Sequence, residues 1–297
     1  MQGMFAGMSS ELKLAVLGLP EEPPVLCLHG WLDNANSFDR LIPLLPEDFH
    51  YVAMGFGGHG LSSHYSPGFP YHHQNFEIRR VVAAFNLTKV SFLWGLCPPA
   101  DSSLWCFLAV LLSELMDKLI LLDVTPFILD TNEMENIPTY QRRTRENTLQ
   151  VEASQKPLRV YSLEELFLKN NTHVDKECGE LLLQRGTTKV ATGKGLTVRL
   201  ENTLEFVIRD MFVNFTRSLK GPVMNKVGHS DVRQENDSKK ESVVFTVDTL
   251  KAILKEESVG SFVELPGNHY IHMSKPHLVA SSIASFLQSK RMTLVSL

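Results

Sequence analysis

An apolar strand that ends abruptly at His-Gly constrains this chain more than any other feature. Pro23 and Pro24 hold the approach extended, and Val25-Leu26-Cys27-Leu28 forms a run with no polar face. A run of that kind is buried on both sides, as in a parallel sheet covered by helices. His29-Gly30 then requires a sharp turn that exposes a backbone N–H before Leu32-Asp33-Asn34. For His-Gly alone, a plain strand-to-loop turn is the simpler reading.

The strand pattern repeats. Glu11 to Val16 alternates polar and apolar residues and predicts a half-buried leading strand. Phe38 to Leu45 is helix-like, interrupted by Pro43 and closed by Pro46. Tyr51-Val52-Ala53-Met54 is a second buried strand, and it empties into the glycine-dense loop Gly55-Phe56-Gly57-Gly58-His59-Gly60-Leu61-Ser62. That loop lacks the Lys-Ser/Thr of a phosphate cradle and the acidic partner of a ribose, which excludes a nucleotide site. Ile78, Val81, Val82 and Phe85 mark one face of a helix over 76–85, and Lys89 to Leu93 is the next strand. Met116 to Leu122 makes another, with Asp123 at its carboxyl end. Strands alternating with helices in this order imply right-handed crossovers and a mostly parallel sheet.

The texture changes from about residue 127. Residues 127–220 are charged and helical in pattern, and read as an inserted helical cap between core segments 1–126 and 221–297. Within it, Gly186 to Gly195 has the wrong glycine spacing for a P-loop and reads as a turn or linker. Sheet character returns weakly at Pro222-Val223-Met224 and clearly at Ser261 to Leu265, and a last helix covers roughly His277 to Leu287.

Composition removes several alternatives. At 297 residues and 43% hydrophobic content the chain can bury a sizeable core. A net charge of −4 gives no attraction to nucleic acid or anionic membrane. Its four cysteines (Cys27, Cys97, Cys106 and Cys178) form no CxxC pair, which predicts reduced, buried thiols in a cytosol-like compartment. No basic segment precedes an apolar run at the N-terminus, so no secretory signal is expected, and no apolar run is long enough to span a bilayer.

Three stretches together carry a family resemblance: Val25 to Asn34, Phe56 to Ser62, and Pro266-Gly267-Asn268-His269-Tyr270-Ile271-His272-Met273. With them in this order, the chain resembles the α/β-hydrolase superfamily, and within it the serine hydrolase-like proteins. The resemblance implies an α/β-hydrolase fold with an inserted cap. It also implies ester or acyl hydrolysis by a Ser-His-acid triad on a small substrate, without metal or organic cofactor. The compartment it implies is the cytoplasm, with perinuclear vesicles or peroxisomes as family alternatives. His269 takes the place of the catalytic base, while His272 reads as structural. Gly30 and Trp31 belong to the oxyanion-hole loop. Asp231, in His229-Ser230-Asp231, is the first candidate for the acid that orients the base, followed by Asp123 and Asp237.

The nucleophile breaks the pattern. A Gly-x-Ser-x-Gly elbow should come after the strand ending at Leu93, and none occurs anywhere in the sequence. Trp94-Gly95-Leu96-Cys97-Pro98-Pro99 stands there instead. Cys97 is the one substitute in register, and a thiolate can serve as a nucleophile. Pro98 opposes it, because the residue after the nucleophile must donate an N–H that proline lacks. Ser102 and Ser103 suit the start of a helix better than an elbow. The expectation is an impaired copy of a hydrolase, with a non-catalytic binding or scaffold role as the alternative. Family-like sequence runs up to Leu93 and resumes at Met116, so an altered exon or reading frame explains the break better than gradual drift.

Overall fold

The computed structural model describes residues 12–30, 33–63, 73–95, 115–122, 174–190, 193–196, 223–228 and 260–289. It also describes the short pieces 128–129, 138–139, 142, 146, 207–208, 213–214, 217, 247–249, 251–253 and 255. A seven-stranded sheet organises the described residues. In chain order its first strands are β1 (Lys13–Leu17), β2 (Pro24–Leu28), β3 (His50–Gly55), β4 (Val90–Gly95) and β5 (Met116–Leu122). Four short strands lie outside it: β6 (Ile128–Leu129), β7 (Thr187–Val190), β8 (Gly193–Leu196) and β9 (Val207–Ile208). The sheet is completed by β10 (Val223–Gly228) and β11 (Gly260–Leu265). Its spatial order is β1-β3-β2-β4-β5-β10-β11. Only β1 runs antiparallel, pairing Lys13 with Gly55 and Leu17 with Tyr51; every other pair in the sheet is parallel. The helices that matter below are α1 (His73–Ala84), α2 (Lys176–Gly186), α3 (Ile271–Ser274) and α4 (Pro276–Gln288).

The central strands β2 to β5 are buried on both faces because their sequences are mostly apolar. Leu26 and Leu28 point into one core, with Val52, Met54, Phe92, Trp94 and Leu121. Ile78, Val81 and Val82 of α1 cover that side, so the helical face read from the sequence is the one that packs. Val25 and Cys27 point the other way, among Tyr51, Ala53, Leu93, Ile120 and Met224. Val279, Ala280, Ile283 and Leu287 of α4 close this second core. That helix starts on a proline, which suits its first turn. At its other end the Lys118 ammonium, carried by β5, donates to the carbonyls of Phe286 (2.9 Å), Leu287 and Ser289 (2.6 Å). A cation among the last free carbonyls satisfies groups the helix cannot satisfy itself.

Two local expectations change form. The stretch over 38–45 is two short 3-10 turns, Ala35–Phe38 and Ile42–Leu44, because Pro43 interrupts any longer helix. The segment over 186–195 is a hairpin after α2, with β7 antiparallel to β8. A further short pair joins β6 to β9 in parallel.

Candidate active site

The carboxyl ends of β2, β3, β4, β5, β10 and β11 share one edge of the sheet, the edge where open α/β sheets place their ligands. The loop after β2 is held there by His29, which is buried. The Phe56 N–H donates to its Nε2 at 3.0 Å, and its Nδ1 lies 2.7 Å from the Gly30 carbonyl. Because a backbone N–H can only donate, Nε2 is the acceptor and the proton sits on Nδ1. Burial, reinforced by His59 with its ring 5.2 Å away, pushes His29 down to about 3, so the ring is neutral. The histidine that marked the turn in the sequence is therefore a brace between the loops after β2 and β3.

The glycine-dense loop is fixed from several sides. Gly57 N–H donates to the buried Glu77 carboxylate of α1 (3.0 Å), and the Ser62 hydroxyl donates to the Gly55 carbonyl (2.7 Å). Gly60 has φ of +55°, and a Cβ there would lie 3.0 Å from Asn34 Cβ, so both conformation and space require glycine. Asn34 itself accepts from Asn36 N–H and donates from Nδ2 to the Leu182 carbonyl of α2 (2.8 Å). Asn36 Nδ2 donates to the Leu181 carbonyl (2.9 Å). These two asparagines fasten α2 against the loop after β2.

Across the same edge, Pro266 to Tyr270 leaves β11 and turns into the short helix α3. Asn268 shapes the turn: its Oδ1 accepts from Tyr270 N–H (3.1 Å) and its carbonyl accepts from Ile271 N–H (3.1 Å). Gly267 lies so close to Ile271 that a Cβ would come within 2.4 Å of that side chain. His269 sits on this turn, half-buried, edge-on to the Tyr270 ring at 5.6 Å. His272 is fully buried and stacks on Tyr270 at 6.4 Å, with Phe38 at 6.3 Å.

Of the residues singled out in the sequence, His269 and Gly30 are described. Trp31, Cys97, Asp123, Asp231 and Asp237 lie outside the described residues. The sequence does not single out Asp33 or Tyr270, which the fold brings together. Asp33 is 2% exposed and accepts from the Tyr270 hydroxyl on Oδ1 (3.3 Å). Burial drives its carboxyl up to about 7, while His269, Tyr270 and Ser37 pull the other way. A carboxylate three residues past His-Gly was the available signal. The two described thiols, Cys27 and Cys178, are buried and free, and burial pushes both above the ordinary thiol range. Among the described residues no cluster could hold a metal ion, and no helix is long and apolar enough to cross a membrane.

Sheet order, covering helices and loop placement define an α/β-hydrolase fold. A family model described as alpha/beta hydrolase fold matches residues 23–156. The chain is 55% identical to the serine hydrolase-like protein of Mus musculus, over 97% of this chain and 98% of that relative. It is 53% identical to serine hydrolase-like protein 2 of Homo sapiens, over 96% of each. A solved hypothetical protein of Pseudomonas aeruginosa is similar in structure, with a TM-score of 0.77 at 26% identity, covering 94% of this chain and 96% of that one. The chain belongs to the serine hydrolase-like family of α/β-hydrolase-fold proteins.

Proposed function

We propose that this chain is a serine hydrolase-like protein of the ester- or acyl-hydrolysing kind, impaired at its nucleophile. The observation that carries the reading is the sequence at the end of β4, Gly95-Leu96-Cys97-Pro98-Pro99, where the family elbow belongs. His269, on the turn between β11 and α3, supports a base waiting at the right edge of the sheet. The doubly held Gly30 carbonyl supports a fixed oxyanion loop at His29-Gly30-Trp31. Asp231 remains the proposed acid, and residues 127–220 the proposed cap over a small ester or acyl substrate. Without an N–H at Pro98 one oxyanion donor is gone, a loss of about 10² to 10³ in turnover. Loss of the nucleophile as well leaves at most about 10³ to 10⁴ of acceleration from binding and the remaining donor. The absence of that N–H also favours the second reading, a non-catalytic binding or scaffold protein.

Repair of the elbow tests the proposal. Trp94 is a core residue and Gly95 ends β4, so the replacement begins after them: Leu96 to Ala100 becomes His-Ser-Phe-Gly-Gly. The repaired chain should hydrolyse a short p-nitrophenyl ester, and His269→Ala in that background should abolish it. The unrepaired chain should resist fluorophosphonate and show no His269-dependent iodoacetamide labelling. Labelling of Cys97 that depends on His269 would overturn the impairment. A folded but inactive repaired chain would overturn the assigned base or oxyanion loop.

A further inference from the structure

We propose that Asp33 is a positioning residue for His269, holding the base through Tyr270 and stabilising its charged form. The proposal rests on His269 being the base of the hydrolase site. It concerns a carboxylate other than the acid the resemblance implies after β10.

Asp33 leaves the sheet after β2 and Tyr270 after β11, with β4, β5 and β10 between those strands. Their side chains nevertheless meet, across 237 residues of sequence, by the Tyr270 hydroxyl donating to Asp33 Oδ1 at 3.3 Å. Tyr270 is the residue after His269, and its ring meets those of His269 (5.6 Å, edge-on) and His272 (6.4 Å, stacked). Fixing its hydroxyl therefore fixes the surface against which the His269 imidazole rests.

A structural role alone accounts poorly for the carboxylate. Asp33 is buried, its one side-chain hydrogen bond at normal geometry is long, and Oδ2 makes none among the described residues. Burying a charge with so little hydrogen bonding is costly unless another charge compensates, and asparagine would fill the same space without that cost. Among the described residues, the groups that act on the Asp33 carboxyl are the Tyr270 and Ser37 hydroxyls and the His269 imidazole, and of these only the imidazole can carry a positive charge. An anion held there favours the imidazolium that a base becomes during acyl transfer.

The test is a pH titration of the full chain by NMR, with the His269 resonance assigned by its loss in His269→Gln. Asp33→Asn should lower the His269 midpoint by about one pH unit, as removal of a nearby opposite charge does. An unchanged midpoint in a folded Asp33→Asn protein would overturn the proposal, since a merely structural carboxylate alters melting and not the imidazole. Coupling is reciprocal, so His269→Gln should raise the Asp33 carboxyl midpoint by a matching amount. That variant alters a half-buried residue, so the reciprocal arm decides the matter even where Asp33→Asn fails to fold. A carboxyl midpoint indifferent to His269→Gln would refute the pairing. Both arms read the pair whether or not any ester is turned over, so their failure is distinct from failure of the hydrolase reading.

Discussion

His29 offers the sharpest quantitative test of how this site is held. Its neutral ring accepts from Phe56 N–H and donates to the Gly30 carbonyl, so it joins the loops after β2 and β3. Protonation of Nε2 breaks the first bond and places a charge in the core. The folded-state value of about 3 lies below the ordinary value of 6.5, so the unfolded chain takes up the proton first. His29 is therefore without cost above pH 6.5, and stability is lost as pH falls from there toward 3, at about 1.4 kcal/mol per pH unit. Between about pH 6 and pH 4.5 the loss amounts to about 2 kcal/mol. His29→Gln removes the titration but keeps a carbonyl able to accept from Phe56 N–H. Its cost at neutral pH should be about 1 to 3 kcal/mol, from the lost donor to Gly30 and imperfect packing. Urea unfolding of both proteins at the two pH values gives the difference directly. Wild type should lose about 2 kcal/mol more than the variant over that interval. Parallel losses would refute the neutral, buried brace.

Asp33 has the opposite sign. Its folded-state value of about 7 lies above the ordinary 3.8, so its contribution is present below pH 3.8 and lost as pH rises through 7. Asp33→Asn should gain on wild type by about 1.4 kcal/mol per pH unit across that window, read by the same urea titrations. Lys118→Met keeps the buried stem and removes the ammonium from the end of α4; it should cost about 2 to 4 kcal/mol and speed amide exchange in the last turn of that helix. Asn34→Ala removes both the turn cap at Asn36 and the bond to Leu182, at about 1 to 3 kcal/mol, and limited proteolysis should then cut first within residues 174–190.

The fold was legible in the sequence because each central strand is apolar on both faces. Val25 to Leu28, Tyr51 to Met54 and Met116 to Leu122 carry a parallel-sheet signature in their composition alone. The turns were legible for a similar reason: His29-Gly30, the glycines at 57, 58 and 60, and Gly267-Asn268 reflect local backbone demands. The missing elbow is likewise a sequence fact, since proline has no N–H in any fold. What the sequence could not supply was partnership across the sheet. Lys118 in a buried strand becomes intelligible only when α4 ends above it. His29 reads as the label of a turn until Phe56, 27 residues on, is seen donating to it. Asp33 reads as one more polar loop residue until Tyr270 and His269 arrive from the far end of the chain. Backbone conformation and strand burial depend on neighbours within a few residues, whereas protonation and side-chain pairing depend on what the fold brings alongside.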